Sequence, residues 1–143
     1  MIVLTGATGL VGSAVLRLLL ERDVAVRCLV HSTPVDDSLG PERIEVVQAD
    51  FDEPDTYASA MQGCESLFLL TPPHPAQAAR EIALVDAARS AGIRHVVSIS
   101  IVGADRRSPV AFARRGLPPA PPLAAAGVAG CARQPGAAGR PLT

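Results

Sequence analysis

The sequence predicts an α/β fold, a Rossmann-like doubly wound parallel sheet. Short apolar runs alternate with longer segments of helical period, which is typical of βαβ units rather than hairpins. Strands separated in this way pair in parallel, and helices cover both faces of their sheet. A glycine-rich turn, "TGATGLVGSAV" at residues 5–15, lies between the first apolar run and the first helical segment.

The first half of the chain predicts three strands and two helices. The strands are Ile2–Leu4, Ala25–Val30 and Ile44–Gln48. The first helix runs from Leu10 to Glu21, with a predicted apolar face of Leu10, Val11, Ala14, Val15, Leu18 and Leu19. The segment "DEPDTYASAMQG" predicts a short helix that ends at Gly63, with Asp52 or Asp55 as its amino-terminal cap.

The second half adds two strands, Ser66–Leu70 and His95–Ile99. A pair of prolines, Pro72 and Pro73, ends the fourth strand, and a long helix then runs from Pro75 to Ser90. We expect the five strands to lie in the order 3-2-1-4-5, in one NAD(P)-binding domain over residues 1–107.

The last 36 residues, 108–143, differ in composition. They contain ten Ala, seven Pro, five Gly and four Arg but no acidic residue, whereas all fourteen acids lie before them. Such a segment buries too little apolar area to offset its ordering entropy, which predicts a disordered tail and a sheet that is incomplete at its carboxyl end. We interpret the tail as the product of a frameshift near Arg114 or of gene decay; a natural disordered extension is the alternative.

Composition narrows the classes of partner. The net charge is −1 without a long basic run, which argues against nucleic acid. Three scattered cysteines, Cys28, Cys64 and Cys131, form no CxxC pair, so neither a metal site nor a disulfide framework is expected. The start "MIVLTG" lacks a signal-peptide pattern, and no apolar run reaches the ~18 residues of a membrane span. We therefore expect a cytoplasmic protein without a membrane partner.

The three glycines suit a phosphate-binding turn. Gly6 would form the tight turn, Gly9 would let backbone amides approach a pyrophosphate, and Gly12 would let the helix pack closely on the strand. The phosphates would lie at the helix amino terminus, where free N–H groups favour negative charge. The strand before and the helix after this motif favour dinucleotide binding over a simple turn.

Two further pairs of residues lie at the same edge of the predicted sheet. His31 and Ser32 follow the second strand, where a cation suits the 2′-phosphate of NADP and an acid suits NAD. His31 therefore favours NADP as the cofactor, with NAD as the alternative. The alternative to any cofactor role is that His31 is a solvated loop residue. Asp50 and Phe51 follow the third strand, where adenine would lie, and a helix-cap role is the alternative for the acid.

These segments resemble the NmrA-like, NAD(P)-binding branch of the atypical short-chain dehydrogenases. The resemblance covers residues 1–107 and rests on "VLTGATGLVGSAVLRLLL", "VRCLVH", "VVQADFDEPDTYASAMQGCESLFLLTPP" and "EIALVDAARSAGIRHVVSISIVGAD". It implies pyrophosphate contacts from Thr5 to Val11, among them Thr8 and Leu10. It also implies that His31 stands where relatives carry Arg, that Asp50 and Phe51 flank the adenine, and that Leu70, Thr71 and Pro72 line the path to the nicotinamide ribose.

The resemblance fails where the larger group has its catalytic residues. Short-chain dehydrogenases use a Tyr and a Lys four residues apart, but the only tyrosine is Tyr57 and the chain has no lysine. No catalytic residue is therefore predicted. Ser98 and Ser100 end the fifth strand, where a substrate-binding serine is the alternative to plain polarity, and His74 and His95 have no spacing for metal or triad chemistry.

Three functions remain open. The first is a truncated NAD(P)H-dependent oxidoreductase that transfers hydride between nicotinamide and a small-molecule acceptor. The second is a non-catalytic NAD(P) redox sensor. The third is a non-functional fragment whose fifth strand leaves an unpaired edge that favours aggregation.

Overall fold

The computed structural model describes residues 1–32, 35, 41–99 and 129–133. They contain one six-stranded parallel sheet in the order β3-β2-β1-β4-β5-β6. Its strands are β1 Ile2–Thr5, β2 Val26–Val30, β3 Ile44–Gln48, β4 Ser66–Leu69, β5 His95–Ile99 and β6 Ala129–Arg133. The Rossmann-like sheet is confirmed, and so is the predicted order of its first five strands.

Three helices are described, with bounds within two residues of the prediction for the two long ones. They are α1 Leu10–Leu20, α2 Pro54–Ala58 and α3 Gln77–Ser90, with 3₁₀ turns at Pro41–Arg43 and Ser59–Met61. The predicted cap of α2 is wrong: its N-cap position is Glu53, and no side chain caps it. Proline at the first helical position, Pro54, starts this helix because proline has no N–H that needs an acceptor there.

β1 lies at the centre of the sheet, and its side chains pack into both faces. Val3 belongs to the core cluster that also contains Leu84 and Val85 of α3, whereas Leu4 belongs to the cluster of α1 with Leu16. Both strand residues are fully buried. Burial on both faces explains why the strand is a continuous apolar run instead of an alternating one.

The predicted apolar face of α1 is wrong at four of its six residues. Leu10 is 90% exposed, and Val11, Ala14 and Leu18 are also exposed. The helix instead turns Gly12 and Leu16 into the core, with Val15, Leu19 and Leu20 packed partly against it. Leucines stand on nearly every side of this helix, so periodicity alone did not distinguish the buried face.

Arg27 of β2 joins the sheet to the turn before β4. Its Nη1 donates to the carbonyls of Ala60 and Gln62 at 2.6 and 2.9 Å, and its Nε donates to Glu45 of β3 at 2.9 Å. The Arg27 side chain is 16% exposed and the Glu45 side chain 50%. Arg27 therefore donates hydrogen bonds to two backbone carbonyls of a turn that lies outside the sheet.

Five residues of the predicted tail form a sixth strand, β6. Ala129–Arg133 pairs in parallel with β5 along its whole length, from His95 opposite Ala129 to Ile99 opposite Arg133. The prediction that β5 has an unpaired edge is therefore wrong, since β6 occupies that edge. Its small residues, "AGCAR", give no strand alternation, which is why the sequence did not predict it. The rest of the predicted tail lies outside the described residues.

Candidate functional site

The site lies at the carboxyl edge of the sheet, between β1 and β4. The chain runs from β1 toward β2 on one side and from β4 toward β5 on the other, so strand order reverses between them. Doubly wound folds bind ligands in the crevice at such a reversal. Here Thr5 bridges the two strands: its hydroxyl donates to the carbonyl of Leu70 and accepts from the N–H of Leu70, both at 2.7 Å.

Two of the three glycines are required by the turn itself. Gly6 has φ +67°, and a Cβ there would lie 3.0 Å from both Cβ and the carbonyl oxygen of Leu70. A Cβ on Gly12 would lie 1.9 Å from the Gly6 carbonyl oxygen. Gly6 therefore makes the left-handed turn and passes β4 closely, while Gly12 lets α1 pack on the turn, as predicted.

Gly9 is different because the protein fold does not require it. Its φ of −84° suits any residue, and a Cβ would meet only the Gly6 carbonyl oxygen at 3.4 Å. Gly9 is the N-cap of α1, where no side chain bonds the free N–H groups, and Thr8 beside it is exposed. The exposed Leu10 and Val11 follow, so the first turn of α1 presents backbone donors to solvent.

A cavity of about 420 Å³ opens beside this turn, along the carboxyl ends of the first four strands. That volume lies within the range of about 300–1,000 Å³ for small-molecule sites. The lining residues are Gly6, His31, Ala49, Asp50, Phe51, Asp52, Pro72 and Arg80. Five of the predicted positions, Gly6, His31, Asp50, Phe51 and Pro72, are thus brought to one cavity.

His31 and Asp50 form an ion pair when the imidazole is protonated. His31 Nε2 lies 3.4 Å from Asp50 Oδ2, and His31 Nδ1 lies 3.4 Å from the Ser32 hydroxyl. The other carboxylate oxygen of Asp50 accepts from the N–H of Asp52 at 2.9 Å. The His31 side chain is 73% exposed. Asp50 therefore links the end of β2 to the loop after β3.

Phe51 is held at the cavity by the buried Tyr57. Their rings meet edge to face, with centroids 6.5 Å apart and an interplanar angle of 77°. Tyr57 is fully buried, and its hydroxyl has no hydrogen-bond partner among the described residues. Burial, followed by the charge of Asp52, raises the pKa of this phenol. Tyr57 is thus a packing residue and does not reach the cavity as a proton donor.

Sequence reasoning missed one pair of cavity residues, Asp52 and Arg80. Arg80 Nε donates to Asp52 Oδ1 at 2.7 Å, and Nη2 donates to the second carboxylate oxygen. Hydrogen bonding to Arg80 lowers the pKa of Asp52, and the same bond raises the pKa of Arg80. The two residues stand 28 positions apart, so no local spacing in the sequence indicates the pair.

At the end of β4, the side chain of Thr71 is turned toward α3. Its hydroxyl donates to Glu81 Oε1 at 2.5 Å and accepts from Gln77 Nε2 at 3.2 Å. Glu81 is buried, at 6% exposure, and also accepts from Gln77. The predicted position of Leu70 and Thr71 at the sheet edge is therefore fixed by β1 on one side and α3 on the other.

The remaining candidate polar residues lie apart from the cavity lining. His74 Nδ1 accepts from the N–H of Ala76 at 3.1 Å and orders the loop before α3, while His95 is exposed on β5. Ser98 is buried, and Ser100 lies outside the described residues. Across the described ranges no three His, Cys, Asp or Glu side chains group as metal ligands, and no helix is long and apolar enough to cross a membrane.

Comparison with known proteins gives a consistent family. A family model described as NAD(P)H-binding matches residues 6–126, beyond the boundary predicted at 107. The NAD(P)H azoreductase of Xenophilus azovorans is 35% identical over 114 residues, which cover 80% of this chain and 40% of that protein. Quinone oxidoreductase 2 of Escherichia coli is 32% identical over 116 residues, covering 79% and 40%.

Solved structures agree with these relatives. An NADPH-dependent quinone oxidoreductase from Escherichia coli, in complex with NADPH, superimposes with TM-score 0.79 and 30% identity, over 92% of this chain and 47% of that one. The triphenylmethane reductase of Citrobacter sp. has the same fold, with TM-score 0.79 and 24% identity over 92% and 48%. The chain spans about 40% of the length of the two curated relatives. It belongs to the NAD(P)H-binding family that its NmrA-like motifs predicted.

Proposed function

We propose that this chain binds NADP(H) and forms the cofactor-binding part of an oxidoreductase. The observation that carries the proposal is the difference between the glycines. Gly6 and Gly12 are needed by the turn, whereas a Cβ at Gly9 would make only one contact, 3.4 Å from the Gly6 carbonyl oxygen, beside the free N–H groups of α1. A glycine that the fold does not require, next to backbone donors, suits a pyrophosphate.

The residues present fit the rest of the cofactor. The cavity beside Gly6 is large enough for an adenosine and has the apolar Phe51 on its wall. His31, exposed at the end of β2, would meet the 2′-phosphate, with Ser32 beside it. Leu70 and Thr71, fixed at the end of β4, would continue the path toward the nicotinamide ribose.

The reaction we propose is hydride transfer to an electron-poor conjugated acceptor, a quinone or an azo compound. Bound NADPH would supply the hydride and become NADP+, and a proton from solvent would complete the reduced acceptor. This chain would bind and orient the cofactor. Two named relatives support this class, an azoreductase and a quinone oxidoreductase. This sequence has no lysine, and its one tyrosine is fully buried, so these residues supply no Tyr and Lys pair to relay a proton to a carbonyl acceptor.

Calorimetric titration with NADPH and NADH tests the proposal. We expect saturable binding with NADPH the tighter ligand, and a His31→Ala variant in which the two affinities converge because the 2′-phosphate loses the imidazole as a partner. Gly9→Ala should abolish binding by occupying the pyrophosphate position, while the thermal midpoint falls only slightly. Ala14→Ser, one turn further along the exposed side of α1, is the matched control and should bind as wild type does.

Turnover is measured separately, as oxidation of NADPH with a soluble quinone or an azo dye. Oxidation that Gly9→Ala abolishes supports the oxidoreductase. Binding without oxidation by either acceptor would favour the non-catalytic redox sensor. A folded protein that takes up neither dinucleotide would contradict both.

A further inference from the structure

One part of the cavity lining, called the wall below, is the charged pair of Asp52 and Arg80. Asp52 comes from the loop after β3 and Arg80 from the first turns of α3, and both line the cavity. Two bonds join the guanidinium to the carboxylate, from Nε and from Nη2. A bidentate pair of this kind fixes the plane of the guanidinium as well as its position.

The burial of the pair is asymmetric. The Arg80 side chain is 17% exposed and the Asp52 side chain 60%. Asp52 is itself ordered, because its N–H donates to Asp50 at 2.9 Å. Among the described residues, the Arg80 guanidinium makes hydrogen bonds only to Asp52, so three of its five N–H donors are left for another group.

The charges at this wall do not favour a phosphate. Asp52 already pairs with the Arg80 guanidinium, and Asp50 lies 3.4 Å from His31 Nε2, so the wall offers no excess positive charge to an anion. A neutral heteroaromatic base does not need that charge. Its face can pack on a guanidinium, and its ring nitrogens can accept hydrogen bonds from one.

We propose that Arg80 is the residue on which the adenine of the dinucleotide packs, and that Asp52 is the positioning residue that holds its guanidinium in plane. This inference rests on the proposed cofactor function and assigns the base-binding wall of the same site. Phe51 and Pro72, which line the same cavity, complete the wall with apolar surface. Asp52 acts on the ligand only through Arg80.

The test measures dissociation constants for NADPH and for adenosine 2′,5′-bisphosphate, which lacks the nicotinamide half. Arg80→Met keeps the stem but removes the cation, and should weaken both ligands by about tenfold. Arg80→Lys keeps the charge without the plane and should weaken both by about fivefold. Arg89→Met, in the exposed last turn of the same helix, is the matched control and should change neither.

A double-mutant cycle separates positioning from a direct contact. Asp52→Asn alone should weaken both ligands by about threefold, and should have no further effect in the Arg80→Met background. Thermal midpoints show whether each variant is folded. If Arg80→Met does not fold, Arg80→Lys replaces it in the cycle.

The inference and the proposed function fail in different ways. Wild-type protein that binds neither ligand would refute the cofactor function itself. If wild-type protein binds and the dissociation constants of an Arg80 variant lie within twofold of the wild-type values, only the assignment of Arg80 to the adenine is refuted. The adenine wall would also be refuted if NADPH were weakened while the adenosine bisphosphate was not, since the effect would then arise at another part of the cofactor.

Discussion

Gly12→Ala should destabilise the fold far more than its small size suggests. The new Cβ would stand 1.9 Å from the Gly6 carbonyl oxygen, 2.6 Å from the Gly6 carbonyl carbon and 3.0 Å from Cα of Ala7. All three atoms belong to the backbone of the turn, so no flexible side chain can move aside. Either α1 moves away from the turn by more than about 1 Å, or the turn loses the conformation that Gly6 gives it.

The cost follows from what α1 covers. Leu16 of this helix is fully buried in the cluster that contains Leu4 and Cys28. Displacing the helix would therefore leave a gap in that cluster. Forcing a methyl group into a packed site typically costs about 1–3 kcal/mol, and a backbone obstacle puts this case at about 3 kcal/mol or more. In a protein of 143 residues that lowers the thermal midpoint by roughly 10 °C.

Thermal unfolding followed by circular dichroism measures this effect, with Gly9→Ala as the control. The Gly9 variant should lose under about 1 kcal/mol, the cost of a weaker helix cap, since its Cβ makes an ordinary contact at 3.4 Å. The two variants therefore separate the glycine that the fold needs from the glycine that the ligand needs. A Gly12→Ala midpoint within about 2 °C of wild type would refute the packing argument.

Three further predictions concern the core and its polar connections. Thr5→Val keeps the side-chain shape but leaves the N–H and C=O of Leu70 without their partner, so urea titrations should show a free energy of unfolding lower by about 2 kcal/mol. Thr5→Ser should retain both hydrogen bonds, and an equal loss in the two variants would refute this role of the hydroxyl. Arg27→Met should cost about 2–3 kcal/mol because two carbonyls lose a charged donor, whereas Glu45→Gln should cost under about 1 kcal/mol at its half-exposed position. Burial raises the pKa of Cys28 to about 11, so little of its thiol is the reactive thiolate at pH 8. Peptide mapping after iodoacetamide treatment at pH 8 should find Cys28 unmodified in the native protein and modified in denaturant. Labelling of Cys28 in the native protein would contradict its burial.

The parts of the fold that local sequence determines were predictable. A glycine at positive φ and runs of branched residues each act within a few positions of themselves. The carboxyl ends of parallel strands share one edge, so His31 and Asp50 were expected together, and they lie 3.4 Å apart. Their role toward a cofactor stays a prediction.

What the sequence did not predict depends on contacts between distant segments. The buried side of α1 is chosen by the sheet beneath it, because leucines offer the helix more than one apolar face. Asp52 resembles a helix cap by position, but it binds Arg80 on α3 instead. β6 is recognised only by its pairing with β5, since its small residues carry no alternating pattern.

The bonds from Thr5 to Leu70 and the close approach of Gly6 to Leu70 have a thermodynamic consequence for ligand binding. A flexible phosphate loop must lose conformational entropy when it closes on its ligand, and that loss subtracts from affinity. Here the turn is shaped by folding, before any ligand arrives. Ligand binding at this turn should therefore change the backbone entropy of residues 5–12 little. Little of the free energy of the contacts with the dinucleotide is then spent on ordering the turn.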